Sequence, residues 1–395
     1  MAILCFLLLS IVVNSLGIQN DRVLVLLDKE SYKATHSSFF KFLQDSGFAV
    51  DYKISDANDI ALEKFKEYVY DHLVIFASAT EEFGGFLNSK ILTKFVDSGR
   101  NVMLALGNKN GQVIREFAAD CGFIIDSDNA RLNNGNTIKL TKENLINIDV
   151  LTKDVSSLWY SGGGVYYDAK NPLMIPIVSM KASDEESPFT YLSVAVQAKN
   201  SARVTVLGSS DIFSDSFLSE ANDNKKFADN MIKWTFQKAG RLRIASMHHH
   251  LVNETDQPSS YTIRQHLYFE IKIEEYVNNK WQAFCVDGMQ LEFIRIDPFV
   301  RQNLQCNDGV HSVEFQIPDV HGVYKFHIDY VKPGYSRISI SSLIPVKPLR
   351  HDEYERFIPS ALPYYITCLG MAIAPFILSV ALLYHKDPAI KLKQN

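Results

Sequence analysis

The chain has 395 residues, of which 47% are hydrophobic and 22% are charged, and its formal net charge at pH 7 is −5. This balance is typical of globular proteins with buried cores, and the length allows about two or three domains. The small negative charge gives no indication of nucleic-acid binding, and no long block of like charges predicts a disordered tail.

The chain begins MAILCFLLLSIVVNSLG, in which apolar side chains run without interruption from Ala2 to Leu9. The small residues Ser15 and Gly17 follow with the spacing of a secretory cleavage site. We therefore predict a signal peptide over residues 1–17, which directs the rest of the chain into an oxidising lumen. An uncleaved membrane anchor is the alternative interpretation, although the apolar run is short for a membrane span.

From residue 21 to residue 240, buried apolar segments alternate with amphipathic ones. The predicted strands are RVLVLL, FAVDYKI, HLVIFASA, NVMLALG and ARVTVLGSSD. The predicted helices are SFFKFLQDSG, DIALEKFKEYVY, NSKILTKFVDSG, GQVIREFAADCG and DNKKFADNMIKWTFQKAG. Strands that alternate with helices of this length imply right-handed crossovers and a parallel sheet. We therefore predict an α/β domain over residues 21–240 with a doubly wound, flavodoxin-like fold.

After residue 241 the apolar pattern changes to a period of two. The alternating segments are YFEIKIEEY, QLEFIRI, VEFQI and VYKFHIDY, followed by SRISISSLIPV. Turn dipeptides separate these segments, which is typical of antiparallel sheets with one buried face. We therefore predict an antiparallel, β-sandwich-like domain over residues 241–350.

A second apolar segment, PYYITCLGMAIAPFILSVALLY, lies near the end of the chain. Its length satisfies the roughly 20 residues that a helix needs to cross a bilayer, so we predict a transmembrane helix over residues 361–384. A buried core helix is the alternative. The small residues Gly370 and Ala374 would let a neighbouring helix approach closely, which makes them candidates for a helix interface.

The tail over residues 385–395 is basic, so the positive-inside rule predicts that it is cytosolic and that the chain is a type I membrane protein. Lys391 and Lys393 stand five and three residues from the end, counting Asn395 as the first. This spacing resembles the dilysine signal by which coat proteins retrieve membrane proteins to the endoplasmic reticulum. A short basic tail also produces such spacing by chance.

Three cysteines, Cys121, Cys285 and Cys306, lie in the predicted lumenal part. Cys285 and Cys306 could bridge neighbouring strands and leave Cys121 free, but the sequence does not fix the connectivity. The sequon at Asn253 lies in a polar loop and would be usable for glycosylation in the lumen.

Three further motifs suggest chemistry, and each also has a structural explanation. The FGG motif at 83–85 could let backbone amides approach a ligand at the sheet edge, or could simply form a turn. Asp211 and Asp215 could perform acid/base work or bind a hard cation, or could cap a helix. The histidines of MHHHL at 247–251 could bind a metal or form a solvated or interface cluster. Neither the dinucleotide fingerprint nor a P-loop occurs.

Several stretches resemble one known family. They are RVLVLLD, THSSFFKFLQDSGF, ARVTVLGSSDIFSDSF, QLEFIRIDPFVR, PDVHGVYKFHIDY and YERFIPSALPYY. Together they are similar to the DDOST/Wbp family, the single-pass, forty-eight-kilodalton subunits of the endoplasmic-reticulum oligosaccharyltransferase. The resemblance runs from the mature N-terminus through the span, and it implies an α/β domain of the GIFT type.

The resemblance also implies the function. Complexes of this family transfer a preassembled oligosaccharide from dolichyl diphosphate to the Asn of N-x-[ST]. It implies that this chain is an accessory subunit without catalytic residues, metal or cofactor. The implied partners are the other oligosaccharyltransferase subunits, including the multi-spanning catalytic subunit, and the implied location is the endoplasmic-reticulum membrane. The alternative from another class is a stand-alone lumenal enzyme that binds a sugar or nucleotide at the α/β edge.

Overall fold

The computed structural model describes residues 21–85, 87–127, 132, 136–181, 189–220, 222–277, 279–355 and 359–386. Its first region is mixed α/β. The helices of this region are α1 (Ser31–Thr35), α2 (Ser37–Asp45), α3 (Ser89–Asp97), α4 (Gln112–Asp120), α5 (Asp215–Glu220) and α6 (Asn222–Thr235). Its strands are β1 (Arg22–Leu27), β2 (Ala49–Ile54), β3 (Glu63–Lys64), β4 (Glu67–Tyr68), β5 (His72–Ile75), β6 (Asn101–Ala105), β7 (Phe123–Ile124), β8 (Ile138–Thr141), β9 (Ser157–Tyr160), β10 (Tyr166–Tyr167), β11 (Met174–Lys181), β12 (Phe189–Gln197) and β13 (Arg203–Leu207).

The main sheet of this region has the order β11-β12-β13-β6-β5-β1-β2. Each adjacent pair from β13 to β2 is parallel, whereas β12 pairs antiparallel with both β13 and the edge strand β11. Alternate residues of β1 face opposite sides: Val23 and Val25 pack with helices α2 and α6, and Leu24 and Leu26 pack with helices α3 and α4. The sheet is therefore covered by helices on both faces, which explains why its central strands are continuous apolar runs.

One predicted helix is wrong. Residues 59–70 form the short hairpin β3–β4 rather than a second amphipathic helix. Ile60 and Leu62 are buried two positions apart, while Phe65 at the hairpin tip is fully exposed. Phe65 and Lys66 both have positive φ, as the central residues of a tight two-residue hairpin turn require. The apolar residues of this segment thus follow a period of two, which the helical reading missed.

The second region is β-rich. Its strands are β14 (Arg241–Leu251), β15 (Tyr261–Thr262), β16 (His266–Val277), β17 (Lys280–Ala283), β18 (Gln290–Ile294), β19 (Pro298–Asn303), β20 (Gln305–Asn307), β21 (Val310–Gln316), β22 (Gly322–Tyr330) and β23 (Ile338–Lys347). One sheet has the order β14-β16-β21-β20 with β17 beside β16, and the other has the order β15-β23-β22-β18-β19. Inward residues of the two sheets, such as Phe269 and Phe326, share one hydrophobic core.

A buried arginine joins the two regions. The guanidinium of Arg203 on β13 is 1% exposed and donates to the backbone oxygens of Trp234, Ala239 and Gly240 at 2.6, 2.8 and 2.8 Å. These oxygens belong to the end of α6 and to the connection into β14. Burial lowers the pKa of Arg203 to about 9, which still leaves it charged at neutral pH.

Trp234 and Gly240 extend the contact between the α/β region and the β-rich region. The indole nitrogen of Trp234 donates to the backbone oxygen of Gly334, between β22 and β23, at 2.8 Å. Gly240 has a φ of +64°, and a Cβ there would lie 2.2 Å from the same Gly334 oxygen. Only glycine therefore fits at position 240 without moving the two regions apart.

Beyond β23, helix α7 (Leu362–Tyr384) follows a short 3-10 turn at Pro359–Ala361. Within the described residues, the segment Pro359–Tyr384 is the one helix long and apolar enough to cross a membrane by length and composition, with a mean hydropathy of 2.3. Its side chains are exposed along the whole helix, as expected for a segment that packs against something other than this chain.

The buried guanidinium gives a stability prediction. Arg203→Met removes the donor from three backbone acceptors and should lower the free energy of unfolding by about 3 kcal/mol or more. Arg243→Met is the matched control, because Arg243 pairs with Glu274 on the surface and is 49% exposed; its cost should stay below about 1 kcal/mol. Thermal unfolding of both variants in detergent measures the difference. Equal melting temperatures would contradict the role given to Arg203.

Candidate functional site

The carboxyl ends of the parallel strands border an open cleft of about 1130 Å³. In this sheet β2 lies on one side of β1, whereas the later strands β5, β6 and β13 lie on the other side. Such a change of direction leaves a crevice at the carboxyl ends of the two strands concerned, here β1 and β5. Its polar lining comes from the loops after β1, β2, β5, β6 and β13. The residues with charged or imidazole side chains are Asp28, Lys29, His36, Asp56, Glu81, Glu82, Lys109, Asp211 and Asp215.

Asp28 and Thr80 meet across this crevice. The hydroxyl of Thr80, after β5, donates to Oδ1 of Asp28, after β1, at 2.8 Å. Burial raises the pKa of the Asp28 carboxyl above its usual value, even though the hydrogen bond from Thr80 acts in the other direction. Asp28 is thus held in place by the neighbouring strand, and its carboxyl group is partly shielded from solvent.

His36 is the most deeply buried titratable group of the cleft, at 3% exposure. Its Nε2 lies 3.2 Å from the backbone oxygen of Ser210, so this nitrogen carries the proton, and its Nδ1 lies 2.8 Å from the hydroxyl of Thr35. Burial lowers the pKa of His36 below its usual value, although the hydrogen bond to Ser210 opposes this. Both ring nitrogens are therefore engaged: Nε2 joins the end of α1 to the loop after β13, and Nδ1 bonds the adjacent residue Thr35.

Asp215, one of the two predicted carboxylates, caps a helix. Its Oδ1 accepts the backbone N–H of Ser38 at 2.8 Å, and its Oδ2 accepts both the backbone N–H and the hydroxyl of Ser37 at 3.0 and 2.7 Å. These donors begin α2, where backbone N–H groups lack partners inside the helix. Burial acts to raise the pKa of Asp215, but the hydrogen bonds outweigh it and hold the pKa below its usual value.

Asp211, the other predicted carboxylate, begins a 3-10 turn over Asp211–Phe213 and also lines the cleft. Its backbone N–H donates to the hydroxyl of Ser209 at 3.1 Å. The glycine run at 161–164 packs directly behind this loop: a Cβ at Gly162 would lie 2.2 Å from the side chain of Ser209. The structure thus brings Asp211 and Asp215 to one cleft, while Asp215 is already committed to capping.

The glycines of the FGG motif pack against the loop after β2. The backbone N–H of Gly84 donates to the oxygen of Ser55 at 2.7 Å, and a Cβ at Gly84 would lie 2.3 Å from the backbone oxygen of Ala57. Gly85 has a φ of +68° and approaches the backbone oxygen of Ile60 just as closely. Close backbone packing therefore accounts for both glycines, and neither lines the cleft.

The three histidines of β14 alternate faces. His249 is buried, with Nδ1 2.7 Å from the hydroxyl of Tyr261 and its ring stacked on Phe326, while His248 and His250 lie on the other face. In the part of the chain that the structure describes, no group of three or more His, Cys, Asp or Glu side chains could hold a metal ion. His249 is a hydrogen-bonded core residue.

The remaining candidate residues lie away from the cleft. Cys285, after β17, forms a disulfide with Cys306 on β20, and Cys121 is a free, largely buried thiol. Asn253 is exposed in the loop after β14. Gly370 on α7 has open space where a side chain would extend, and Lys391 and Lys393 lie outside the described residues.

Sequence reasoning did not identify Asp28, Thr80 or His36 as members of one cleft. A usable signal exists, because Asp28 and Thr80 each follow a buried strand run, and the carboxyl ends of parallel strands meet at one edge. His36 carries no such signal, since its position depends on how α1 packs against the loop after β13.

The capping role of Asp215 is testable. Asp215→Ala leaves donors of α2 without a partner and should cost about 1–2 kcal/mol of unfolding free energy. Because the folded-state pKa of Asp215 is lowered, this contribution is present above about pH 4 and is lost as the pH falls through the folded value. Asp229→Ala, which removes a surface pair with Lys233, should cost less than about 0.5 kcal/mol. Urea unfolding at neutral pH that showed equal losses would refute the cap.

Comparison with known proteins assigns the chain to a family. The family model described as OST48, N-terminal domain, matches residues 14–238, and the model of the OST48 middle domain matches residues 249–386. Two solved structures, the carbohydrate deacetylase Agd3 and a putative ThuA-like protein from Parabacteroides merdae, cover 56% and 55% of this chain and 33% and 90% of their own. Their identities are 10% and 12% and both TM-scores are 0.36, too low to define fold or function.

Curated relatives match over almost the whole length. Each is a dolichyl-diphosphooligosaccharide–protein glycosyltransferase 48 kDa subunit. The relative from Drosophila melanogaster is 39% identical, covering 93% of this chain and 92% of its own. Those from Danio rerio and Arabidopsis thaliana are both 34% identical, covering 93% and 98% of this chain and 92% and 98% of their own. The chain therefore belongs to the OST48 family.

Proposed function

We propose that this chain is an accessory subunit of the oligosaccharyltransferase complex of the endoplasmic reticulum. That complex transfers a preassembled oligosaccharide from dolichyl diphosphate to the Asn of N-x-[ST] in nascent proteins. The observation that carries the proposal is the near full-length match to relatives named as the 48 kDa subunit of that glycosyltransferase.

We further propose that catalysis resides in a multi-spanning partner subunit. A single span offers no enclosed cavity in which a polyprenyl-linked donor could meet an acceptor peptide, because such a cavity requires several helices. The groups of the cleft that most resemble acid/base residues also have structural tasks: Asp215 caps α2 and both nitrogens of His36 are engaged. These engagements favour the accessory role over a stand-alone lumenal enzyme.

The proposal includes the domain boundaries predicted from the sequence. We propose a signal peptide over residues 1–17, a lumenal α/β domain over 21–240 and a lumenal β-sandwich-like domain over 241–350. The order β2-β1-β5-β6-β13 of the parallel strands supports a doubly wound, flavodoxin-like or GIFT-type fold for the first domain. The span over 361–384 and the cytosolic tail over 385–395 complete a type I topology, which leaves Asn253 in the lumen for glycosylation.

The direct test is affinity purification of the full-length chain from membranes in mild detergent. We expect a multi-spanning subunit to copurify and the captured complex to glycosylate an acceptor peptide carrying N-x-[ST]. The lumenal part alone should transfer nothing. Transfer by the isolated lumenal part, or capture of the chain without membrane partners, would contradict the accessory role.

Lys391 and Lys393 are proposed to form a retrieval signal. A reporter that carries only this span and tail should stay in the endoplasmic reticulum and should leave it when both lysines are replaced by serine. The full-length chain is unsuitable here, because partner subunits would retain it independently. Glycan processing of the reporter measures the outcome, and retention without both lysines would refute the signal.

The span should contact other subunits through Gly370 and Ala374. Lipid is as apolar as leucine, so helices associate in membranes through close packing of small residues. Gly370→Leu should therefore lower the recovery of intact complex in detergent severalfold while the lumenal domains stay folded. Phe376 lies on another face of the helix, which we assign to lipid, so Phe376→Leu should leave recovery unchanged. The reverse pattern would show that the wrong face was chosen.

A further inference from the structure

The outer face of the second sheet of the β-rich region carries an exposed apolar patch. Val323 on β22 pairs with Pro345 on β23, and Lys325 pairs with Leu343. The neighbouring residues Tyr324 and Ile344 are buried in the core, so Val323, Leu343 and Pro345 point outward. The exposed fractions are 58% for Val323 and 70% for Leu343, which is unusual for aliphatic side chains side by side on one sheet.

The patch extends onto a third strand. Ile294 on β18 pairs with Lys325 on β22, and the turn that follows β18 lies towards the Val323 end of β22. Ile296 is 85% exposed at the turn between β18 and β19. It is also the first residue of IDPFVR, one of the stretches by which the family is recognised. We call Ile296, Val320, Val323, Leu343 and Pro345 the apolar tip, since Val320 in the loop before β22 is exposed as well.

The apolar tip lies at the end of the β-rich region from which the chain leaves for the span. Arg264 forms an ion pair with Asp319, the residue before Val320, at 2.5 Å. The end of β23 lies beside the same loop, because Val346 pairs with Gly322 at the start of β22. The Asp319 pair chiefly, and then the carboxylate of Glu355 further along the chain, raises the pKa of Arg264. From Glu355 to Pro359, where the apolar helix begins, the chain can reach at most about 14 Å.

Charge does not explain the exposure. Arg295 and Asp297 flank Ile296 in sequence, and Arg264 neutralises Asp319 beside Val320. Lys325 and Lys347, on the same outward face, leave only a small excess of positive charge, so aliphatic surface rather than charge complementarity is the main feature of the patch. What distinguishes this end is aliphatic surface together with a short connection to a membrane span.

We propose that the apolar tip rests in the headgroup layer of the lumenal leaflet, in contact with the upper acyl chains. This inference rests on the membrane span of the proposed function. The headgroup layer is about 5–8 Å thick, so a domain tethered this closely can reach it without rearrangement. Burial of the aliphatic side chains drives the contact, which should therefore require no anionic lipid. The tip would fix the orientation of the β-rich region, and through Arg203 and Trp234 that of the α/β region, relative to the bilayer.

Tryptophan fluorescence in vesicles tests the placement. The full-length variant Ile296→Trp is reconstituted into vesicles of phosphatidylcholine with or without bromine in the acyl chains, and the signal of the parent chain is subtracted. The added emission should be largely quenched by brominated lipid, equally with and without anionic phosphatidylserine. Leu343→Trp, elsewhere on the tip, should respond in the same way. Both positions are exposed, so neither substitution disturbs the core.

Two matched variants separate the possible outcomes. Phe376→Trp in α7 reports insertion of the span, and Ile124→Trp, 58% exposed in the α/β region, reports non-specific adsorption. Quenching at 376 but at neither 296 nor 343 overturns the tip while leaving the span intact. No quenching at 376 removes the span and the tip together. Quenching at 124 as strong as at 296 shows non-specific adsorption and overturns the proposal. Loss of quenching at 296 in the assembled complex shows that a protein covers the tip, and it overturns the proposal as well.

Discussion

The structure depends most on one buried cation. Arg203, the first residue of β13, donates to three backbone oxygens where α6 ends and the β-rich region begins. A buried guanidinium is tolerated only with such partners, so the connection cannot move without leaving a charge unpaired. Trp234 and Gly240 complete the junction by contacting Gly334 of the second region. These contacts hold the α/β region and the β-rich region together.

Hydrogen bonds between distant segments also explain the polar cleft at the carboxyl ends of the parallel strands. Asp28, His36 and Asp215 lie together at the end of the sheet where α/β proteins bind ligands, yet each is hydrogen-bonded to a neighbouring segment. Asp215 joins segments 178 residues apart in sequence. The cleft is therefore assembled by the contacts that hold its loops, and Asp215 stabilises the fold by capping α2.

The central strands and most helices were predictable, because a doubly covered sheet demands apolar runs such as RVLVLL, and amphipathic segments must cover it. The hairpin at 59–70 was not predictable, because the apolar residues of this segment fit the spacing of an amphipathic helix as well as the alternation of a strand. Only the structure shows that Ile60 and Leu62 are buried while Phe65 is exposed. The capping by Asp215 and the approach of Gly240 to Gly334 could not be predicted either. Both depend on segments that are distant in sequence, and neither leaves a local pattern.

We propose that the chain supports assembly and orientation rather than chemistry. The measurement that tests it most directly is the rate of oligosaccharide transfer per assembled complex when Asp28→Asn and Asp211→Asn are combined. Both carboxylates line the cleft, and the amide replacements conserve their shape. We expect less assembled complex with an unchanged rate per complex. A fully assembled complex whose transfer rate fell by orders of magnitude would contradict it and place chemistry at the α/β edge.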